Sequence, residues 1–149
     1  MSSRLPRGGS RINREKLVNF RFNGKNLKGF DGDTVASALL ANNELLVARS
    51  FKYHRPRGIF TAGEEEPNAL MGIGEGSFFE PNIRATEVKI KQNMNVNSQN
   101  HWPSLRFDFL SINNLLARFF AAGFYYKTFI WPRAAWKYIF EPMIRRASG

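Results

Sequence analysis

The sequence Leu17-Val-Asn-Phe-Arg-Phe-Asn-Gly-Lys-Asn-Leu-Lys-Gly-Phe30 predicts a β-hairpin, and the rest of the fold is built onto it. Apolar and polar residues alternate from Val18 to Phe22, which is typical of a half-buried strand. Asn23-Gly24 favours a tight turn, because both residues tolerate positive φ angles. Asn26–Phe30 is then the predicted return strand.

A helix is predicted over Thr34–Asn42, directly after the hairpin. Asp33 has a short carboxylate side chain, so it is the predicted N-terminal cap of this helix. Val35, Leu39 and Leu40 recur at helical spacing, and we expect them on the buried face.

Two further strands are predicted at Ala69–Ile73 and Ile83–Ile90, with a turn at Gly74–Gly76 between them. Asn93–Asn100 is rich in Asn, Gln and Ser, so it is predicted to be a linker. A hairpin, a helix, a long loop and then strands is the order of a small α+β sheet crossed by one helix. Residues 17–97 are therefore the predicted folded domain.

The two ends of the chain differ from this domain in composition. Residues 1–16 are predicted to be a flexible basic arm, because nothing there can build a core. Residues 98–149 hold most of the aromatic side chains, with helices predicted at 110–120 and 134–140 and a kink at Pro142. We expect this helical extension to dock on the rest of the protein, on a partner or on a membrane interface.

The overall composition excludes several classes of protein. The chain has no cysteine, so it has no disulfide and no thiolate-held metal. The N-terminus lacks the apolar core of a signal peptide, and no apolar run is long enough to span a membrane, so a cytoplasmic protein is expected. The net charge of +10 implies an anionic partner, but the basic residues are dispersed, so nucleic acid is not the expected one.

Arg49–Ala69 is predicted to be a functional loop, because Pro and Gly interrupt regular structure while basic and aromatic residues alternate. Arg55, Arg57 and Gly58 are the candidate residues for contact with an anionic cofactor or another subunit. Each guanidinium can bind a carboxylate or phosphate in a bidentate manner, and the glycine allows close backbone approach. The alternative is that these arginines pair with Glu64–Glu66 and only fix the loop.

The other patterns favour no catalytic or metal site. Gly72–Gly76 is not a dinucleotide motif, because Ser77 stands where the third glycine is required. His54 and His101 are far apart in the sequence and lack companions at ligand spacing. The acidic run at 64–66 lacks the spacing of a calcium loop, so it is expected to be solvated or paired with arginines.

Long strings of this sequence resemble the N-terminal part of the alpha subunit of heterotetrameric sarcosine oxidase. The resemblance covers nearly the whole chain from Gly9 onward, and it implies a β-grasp, ferredoxin-like domain with an aromatic-rich helical extension. The strings are Gly32–Asn42, Ser50–Phe60, Glu66–Ala69, Ser98–Asp108, Ala122–Pro132 and Glu141–Ala147.

The resemblance also marks where an iron–sulfur cluster would be held. Cluster-bearing relatives, such as hydrogen cyanide synthase and opine oxidase subunits, keep cysteines in the plant-type C-x₄-C-x₂-C spacing. On this sequence that spacing falls on Thr61, Glu66 and Ala69, and the fourth ligand position falls on Thr86. None of these is cysteine, so the resemblance implies the fold while the residues exclude the cluster.

The sarcosine oxidase family binds FAD, FMN and NAD across its alpha and beta subunits. It oxidises sarcosine with O₂ to glycine and hydrogen peroxide, and the methyl carbon leaves as formaldehyde or is captured on tetrahydrofolate. The family's alpha subunit is much longer, so this chain is expected to be a fragment, a truncated frame or a separate module. The resemblance implies a docking role without bound cofactor or chemistry of its own.

The expected partners are the remaining alpha-subunit domains and the other subunits of the oxidase. Two alternatives stay open: a subunit of a related opine or proline-type amine oxidase, and a basic RNA-binding module with Arg49–Phe60 as its surface. A third alternative is an interfacial membrane role for residues 110–140, although no membrane partner is expected.

Overall fold

The computed structural model describes residues 3–119 and 132–148, with no side-chain description for Phe119, Ala147 and Ser148. Five of the strands form one mixed sheet, and two short strands pair separately beside it. The strands are β1 (Asn13–Phe22), β2 (Lys25–Asp31), β3 (Ala48–Arg49), β4 (Pro56–Arg57), β5 (Leu70–Ile73), β6 (Glu80–Arg84) and β7 (Met94–Ser98).

The sheet has the strand order β2-β1-β7-β5-β6. β1 and β7 run parallel, and the other neighbours are antiparallel. The helix α1 (Val35–Ala41) packs on this sheet, so the predicted α+β, β-grasp domain is confirmed.

The predicted hairpin is confirmed, and its turn has positive φ at both Asn23 and Gly24. Val18, Phe20 and Phe22 are buried as the alternation requires. β1 begins at Asn13 rather than at the predicted Leu17, because Asn13 pairs with Asp31 across an irregularity in the register. A strand extended by pairing alone leaves no apolar alternation to detect.

The helix α1 is confirmed, but Asp33 is not its cap. The Thr34 side chain accepts the capping bond from the Ser37 amide, at 3.1 Å. Val35 and Leu39 are buried as predicted, whereas Leu40 is 38% exposed. The predicted apolar face was therefore too wide by one residue.

The predicted linker at Asn93–Asn100 is wrong, because β7 lies there in the middle of the sheet. Val96 is buried, and the polar Ser98 is buried with its partners supplied. The Asn23 amide oxygen accepts from the Ser98 backbone N–H at 2.9 Å. A strand rich in polar residues can lie inside a sheet when hydrogen bonds pair its polar groups, so composition alone does not reveal it.

The predicted strand at Ile83–Ile90 is also wrong in its bounds. β6 covers Glu80–Arg84, and the chain then turns, with the Glu87 amide donating to the Arg84 carbonyl. Ala85 and Ile90 still join the core, since the turn lies against α1 and the Ala36 amide donates to the Ala85 carbonyl. The buried residues of this turn are spaced like the apolar residues of a strand, which explains the wrong prediction.

The C-terminal extension contains short helical segments. A helix was predicted over 110–120, and the described part of it alternates between 3₁₀ and α geometry.

A helix was also predicted over 134–140, where a π-helical stretch lies between two α-helical segments. Pro142 lacks the backbone N–H that a regular helical hydrogen-bond ladder would use there. The segments are Gly76–Phe78 within the domain, then Phe109–Ser111, Ile112–Leu115, Ala117–Phe119, Arg133–Ala135, Trp136–Phe140 and Glu141–Ser148.

Part of the predicted extension lies outside the described residues, namely 120–131 with most of the string Ala122–Pro132. Over 3–119 and 132–148, no helix is long and apolar enough to cross a bilayer.

Gly32 supports a close backbone crossing between the N-terminal segment and the hairpin. Its φ is +94°, and a Cβ placed on it would lie 1.9 Å from the carbonyl oxygen of Arg11. We expect Gly32→Ala to lower the free energy of unfolding by about 2–4 kcal/mol, because conformational strain adds to the steric overlap. Denaturant unfolding measures this effect.

Gly24→Ala is the matched control for this prediction. Gly24 also has positive φ, but no heavy atom lies within 4 Å of its added Cβ. It therefore carries only the conformational part, about 1 kcal/mol. Equal losses in the two variants would contradict the assigned overlap at Gly32.

Candidate functional site

The centre of the predicted loop is the carboxylate of Glu66, which is only 1% exposed. Its Oε2 accepts from the backbone N–H groups of Phe60 and Thr61, at 2.7 and 2.6 Å. Its Oε1 accepts from the backbone N–H groups of Asn68 and Ala69, at 2.8 and 3.1 Å. The loop is therefore folded around one internal anion.

Burial by itself raises the pKa of Glu66, but the backbone donors at Thr61, Asn68, Phe60 and Ala69 outweigh it and lower that pKa below its usual value. The carboxylate is ionised at neutral pH. This corrects the prediction that the acidic run is solvated or pairs with arginines: Glu64 and Glu65 are exposed, but Glu66 is internal.

Arg55 and Arg57 are exposed, and Gly58 is half-buried. The Arg55 Nε donates to the Asn114 Oδ1 at 2.7 Å, and its guanidinium carbon lies 4.7 Å from the Tyr53 ring centroid. Over residues 3–119, neither arginine forms an ion pair with the acidic run. Their role in binding an anion or a subunit stays a prediction.

The close approach at Gly58 is to the chain itself. A Cβ there would lie 2.9 Å from the Leu45 carbonyl oxygen, and the neighbouring Arg57 carbonyl accepts from the Val47 amide at 2.9 Å. Gly58 therefore serves the packing of residues 45–48 against β4, beside any contact with a ligand.

A buried polar cluster joins the loop to the extension, and Asp108 is its centre. The carboxylate lies 2.8 Å from the His54 Nδ1 and accepts from the backbone N–H groups of Trp102 and Leu110, at 3.0 and 3.1 Å. Burial raises the pKa of Asp108, but the bonds from Trp102, His54 and Leu110 outweigh it and lower that pKa below its usual value.

Arg49 completes this cluster from the domain side. Its guanidinium donates to the carbonyl oxygens of Leu105, His54 and Arg106, at 2.9, 3.0 and 3.2 Å, and its Nε lies 3.8 Å from the Asp108 carboxylate. Because Arg49 is buried and fully engaged, it does not belong to an open phosphate-binding surface. This corrects the RNA-binding alternative at its first residue.

The cluster supports an exposed apolar surface, here called the aromatic face. Phe109 packs against its neighbours, with ring centroids 5.5 Å from Trp102 and 4.8 Å from Phe107. A cleft of about 460 Å³ opens beside these rings, with His54 and Asp108 among the residues that line it. The aromatic face consists of Trp102, Phe107, Phe109, Ile112 and Leu115, all of them exposed.

Comparison with protein families assigns the domain. A family model described as "2Fe-2S iron-sulfur cluster binding domain" matches residues 15–101, which is more than half of the chain.

The chain belongs to the 2Fe-2S iron-sulfur cluster binding domain family.

Curated relatives are alpha subunits of sarcosine oxidase. The one from Rhizobium meliloti (strain 1021) is 54% identical over 148 residues, a match that covers 99% of this chain and 15% of that protein. Those from Corynebacterium sp. strains U-96 and P-1 are each 43% identical, covering 58% and 62% of this chain and 9% and 10% of those proteins. The chain thus resembles the N-terminal region of these subunits and spans a small part of their length.

Among solved structures, L-proline dehydrogenase from P. horikoshii is 29% identical to this chain, with a TM-score of 0.48. The match covers 60% of this chain and 17% of that one.

The residues of this family member do not fit a 2Fe-2S cluster. The four predicted ligand positions do meet at one loop, since Glu66 binds the Thr61 and Ala69 amides and the Thr86 hydroxyl donates to the Gly63 carbonyl at 2.8 Å. The chain has no cysteine, however, and the Glu66 carboxylate fills the middle of the loop. A cluster requires thiolate or imidazole ligands, and none stands at these positions.

The sequence analysis did not predict two features of the site, the burial of Glu66 and the cluster around Asp108. The burial of Glu66 could have been predicted, because Glu66 stands at the second ligand position of the family spacing, which faces the inside of the loop in cluster-bearing relatives. Asp108 carried no such signal, because its partners His54 and Arg49 are more than fifty residues away in the chain.

Proposed function

We propose that this chain is the N-terminal docking module of a sarcosine oxidase alpha subunit. It performs no chemistry of its own, and it contacts the remaining domains of that subunit and the other subunits of the oxidase. The similarity to sarcosine oxidase alpha subunits over 99% of the chain supports the assignment. Localisation in the cytoplasm is part of the same proposal.

The aromatic face is the observation that carries the docking role. Five apolar side chains stand exposed in one segment, and Leu115 is 78% exposed. Large exposed apolar patches mark interaction sites, because leaving them in water is unfavourable. The face is also held in advance by the Asp108 cluster, so little ordering is needed when a partner binds.

The surroundings of the face favour a protein partner with acidic groups at its edge. Arg55 is exposed at the rim of the cleft. Arg106 precedes Phe107 in the chain, and its side chain is 85% exposed although it lies 3.8 Å from the Glu44 carboxylate. An apolar centre with a charged rim is the usual arrangement of a protein interface. The adjoining domain of the alpha subunit is the proposed occupant.

The proposed parent enzyme oxidises sarcosine to glycine with O₂, giving hydrogen peroxide and formaldehyde or methylene-tetrahydrofolate. Its FAD, FMN and NAD are held by the other parts of the complex, and this chain binds none of them alone. Arg55, Arg57 and Gly58 then serve as contacts to an adjoining subunit or an anionic cofactor.

Co-expression tests the proposed function. The chain is produced with the reading frames that flank its gene, purified through a tag on this chain, and examined for mass and flavin absorbance together. We expect a large complex with flavin bands. A lone colourless chain of 17.1 kDa would contradict the proposal.

Leu115→Glu tests the docking surface within that complex. We expect at least a roughly tenfold loss of co-purified partner, because a charge at the centre of an apolar interface removes about 1.4 kcal/mol or more of binding free energy. The variant chain should keep its thermal midpoint, since Leu115 is exposed.

Phe78→Glu is the matched control, because Phe78 is 85% exposed and belongs to the segment after β5. It should leave the yield of the complex unchanged. Equal losses in both variants would show that the aromatic face is not the docking surface.

A further inference from the structure

The four backbone N–H groups that surround Glu66 form an anion-binding concavity, and it is closed from both sides. The donors come from Phe60 and Thr61 before the acidic run and from Asn68 and Ala69 after it. Successive backbone donors of this kind bind phosphates and iron–sulfur clusters in other proteins. Over the described residues, no Lys, Arg or His lies within ion-pair distance of Glu66, so its charge is balanced by neutral donors, chiefly these four amides.

This concavity lies where members of the family bind their cluster. Thr61, Glu66 and Ala69 occupy the C-x₄-C-x₂-C spacing, so the loop has the length and connections of a cluster-binding loop. A cluster held by thiolates is anionic and accepts hydrogen bonds from loop amides. When the thiolates are absent, those amides face a buried space and require another acceptor.

We propose that Glu66 is a built-in anion that takes the place of the cluster, and that the loop around it is a binding site for one carboxylate. Its chemistry is that of a small monovalent carboxylate held by four backbone donors. The side chain delivers this group from within the loop, at the second ligand position. The loop therefore keeps its shape without metal.

The other arrangements of charge around the loop support this assignment. Glu64 and Glu65 stand next to Glu66 but are exposed, so an acidic run alone does not produce burial. The Thr61 hydroxyl also lies 3.3 Å from the Glu66 Oε2, and the Thr86 hydroxyl closes the loop through the Gly63 carbonyl. Two of the predicted ligand positions thus stabilise the loop that the carboxylate fills.

Chemical rescue of Glu66→Ala in the full chain tests the proposal. The substitution removes the carboxylate and leaves the donors around an empty space. We expect the thermal midpoint to fall by about 10 °C or more. Sodium formate at about 0.2 M should then restore roughly half of the loss, because a ligand that binds only the folded state raises its stability.

Formamide is the matched probe, since it has the shape of formate without the charge, and it should restore nothing. Wild type and Glu64→Ala should show no response to formate, and Glu64→Ala should keep the wild-type midpoint. An equal formate response in all three proteins, or a Glu66→Ala midpoint like that of wild type, would overturn the proposal.

Two further variants decide the matter if Glu66→Ala does not fold with or without formate. Glu66→Asp keeps the charge in a shorter side chain, and Glu66→Gln keeps the shape but directs an NH₂ group at backbone donors. The proposal requires the aspartate variant to have the higher midpoint. A higher midpoint for the glutamine variant would show that the loop needs packing rather than an anion.

Discussion

Asp108→Ala is expected to lower the free energy of unfolding by about 3–5 kcal/mol. The substitution leaves the backbone N–H groups of Trp102 and Leu110 without their acceptor and leaves buried Arg49 without the nearby carboxylate. His54 also loses its partner at 2.8 Å. Because these groups join the loop to the aromatic face, the same variant should also lose the co-purified partner.

Urea unfolding of the 149-residue chain measures this loss. Asp31→Ala is the control, since Asp31 is about half exposed and its ion pair is with the exposed Lys16 at 3.2 Å. Such a surface pair contributes at most about 1 kcal/mol. If the two variants lost equal stability, the Asp108 cluster would not be the connection that holds the extension to the domain.

Asp33→Asn is expected to lower the free energy of unfolding at pH 7 by about 2–4 kcal/mol. The carboxylate of Asp33 is fully buried and accepts from Arg4 at 3.0 and 2.5 Å, from the Phe30 amide at 2.8 Å and from the Ser37 hydroxyl at 2.8 Å. The side-chain amide of an asparagine would direct its NH₂ group at some of these donors, which then lose their acceptor. Arg4 is then left partly buried without its counter-charge.

This loss should depend on pH in a known direction. Burial raises the pKa of Asp33, but the bonds from Arg4, Phe30 and Ser37 outweigh it and hold that pKa below its usual 3.8. A carboxyl whose pKa is lower in the folded state stabilises the protein above its unfolded pKa. That contribution disappears as the pH falls through the folded value. The difference between wild type and Asp33→Asn should therefore be largest near neutrality and shrink below about pH 4.

Unfolding free energies at several pH values between about 3 and 7 check this dependence. Asp108 and Glu66 also have lowered pKa values, but both proteins keep them, so their effects cancel in the difference. A difference that stayed constant with pH would contradict the assigned role of the Asp33 charge.

Local patterns predicted the parts of the fold that local chemistry determines. The hairpin follows from the alternation of Val18–Phe22 and the Asn23-Gly24 turn, and α1 follows from its apolar spacing. The prediction for the β7 segment was wrong because its polar residues form hydrogen bonds with a distant partner, as Ser98 does with Asn23. Periodicity cannot show a bond between residues that are so far apart in the chain.

The site divides in the same way. The resemblance placed Thr61, Glu66, Ala69 and Thr86 at one loop, and the structure brings them together. It did not show that Glu66 is the internal acceptor, because an acidic run on a loop is usually solvated. Burial of a charge depends on backbone donors whose directions are set only when the loop has folded.

The filled loop changes what the domain needs in order to mature. In a metal-dependent domain, loading of the metal and folding are one equilibrium, and chelators unfold the protein. Here the acceptor at the centre of the loop is synthesised with the chain, at Glu66. We therefore expect folding of the domain to be independent of iron supply and of cluster assembly.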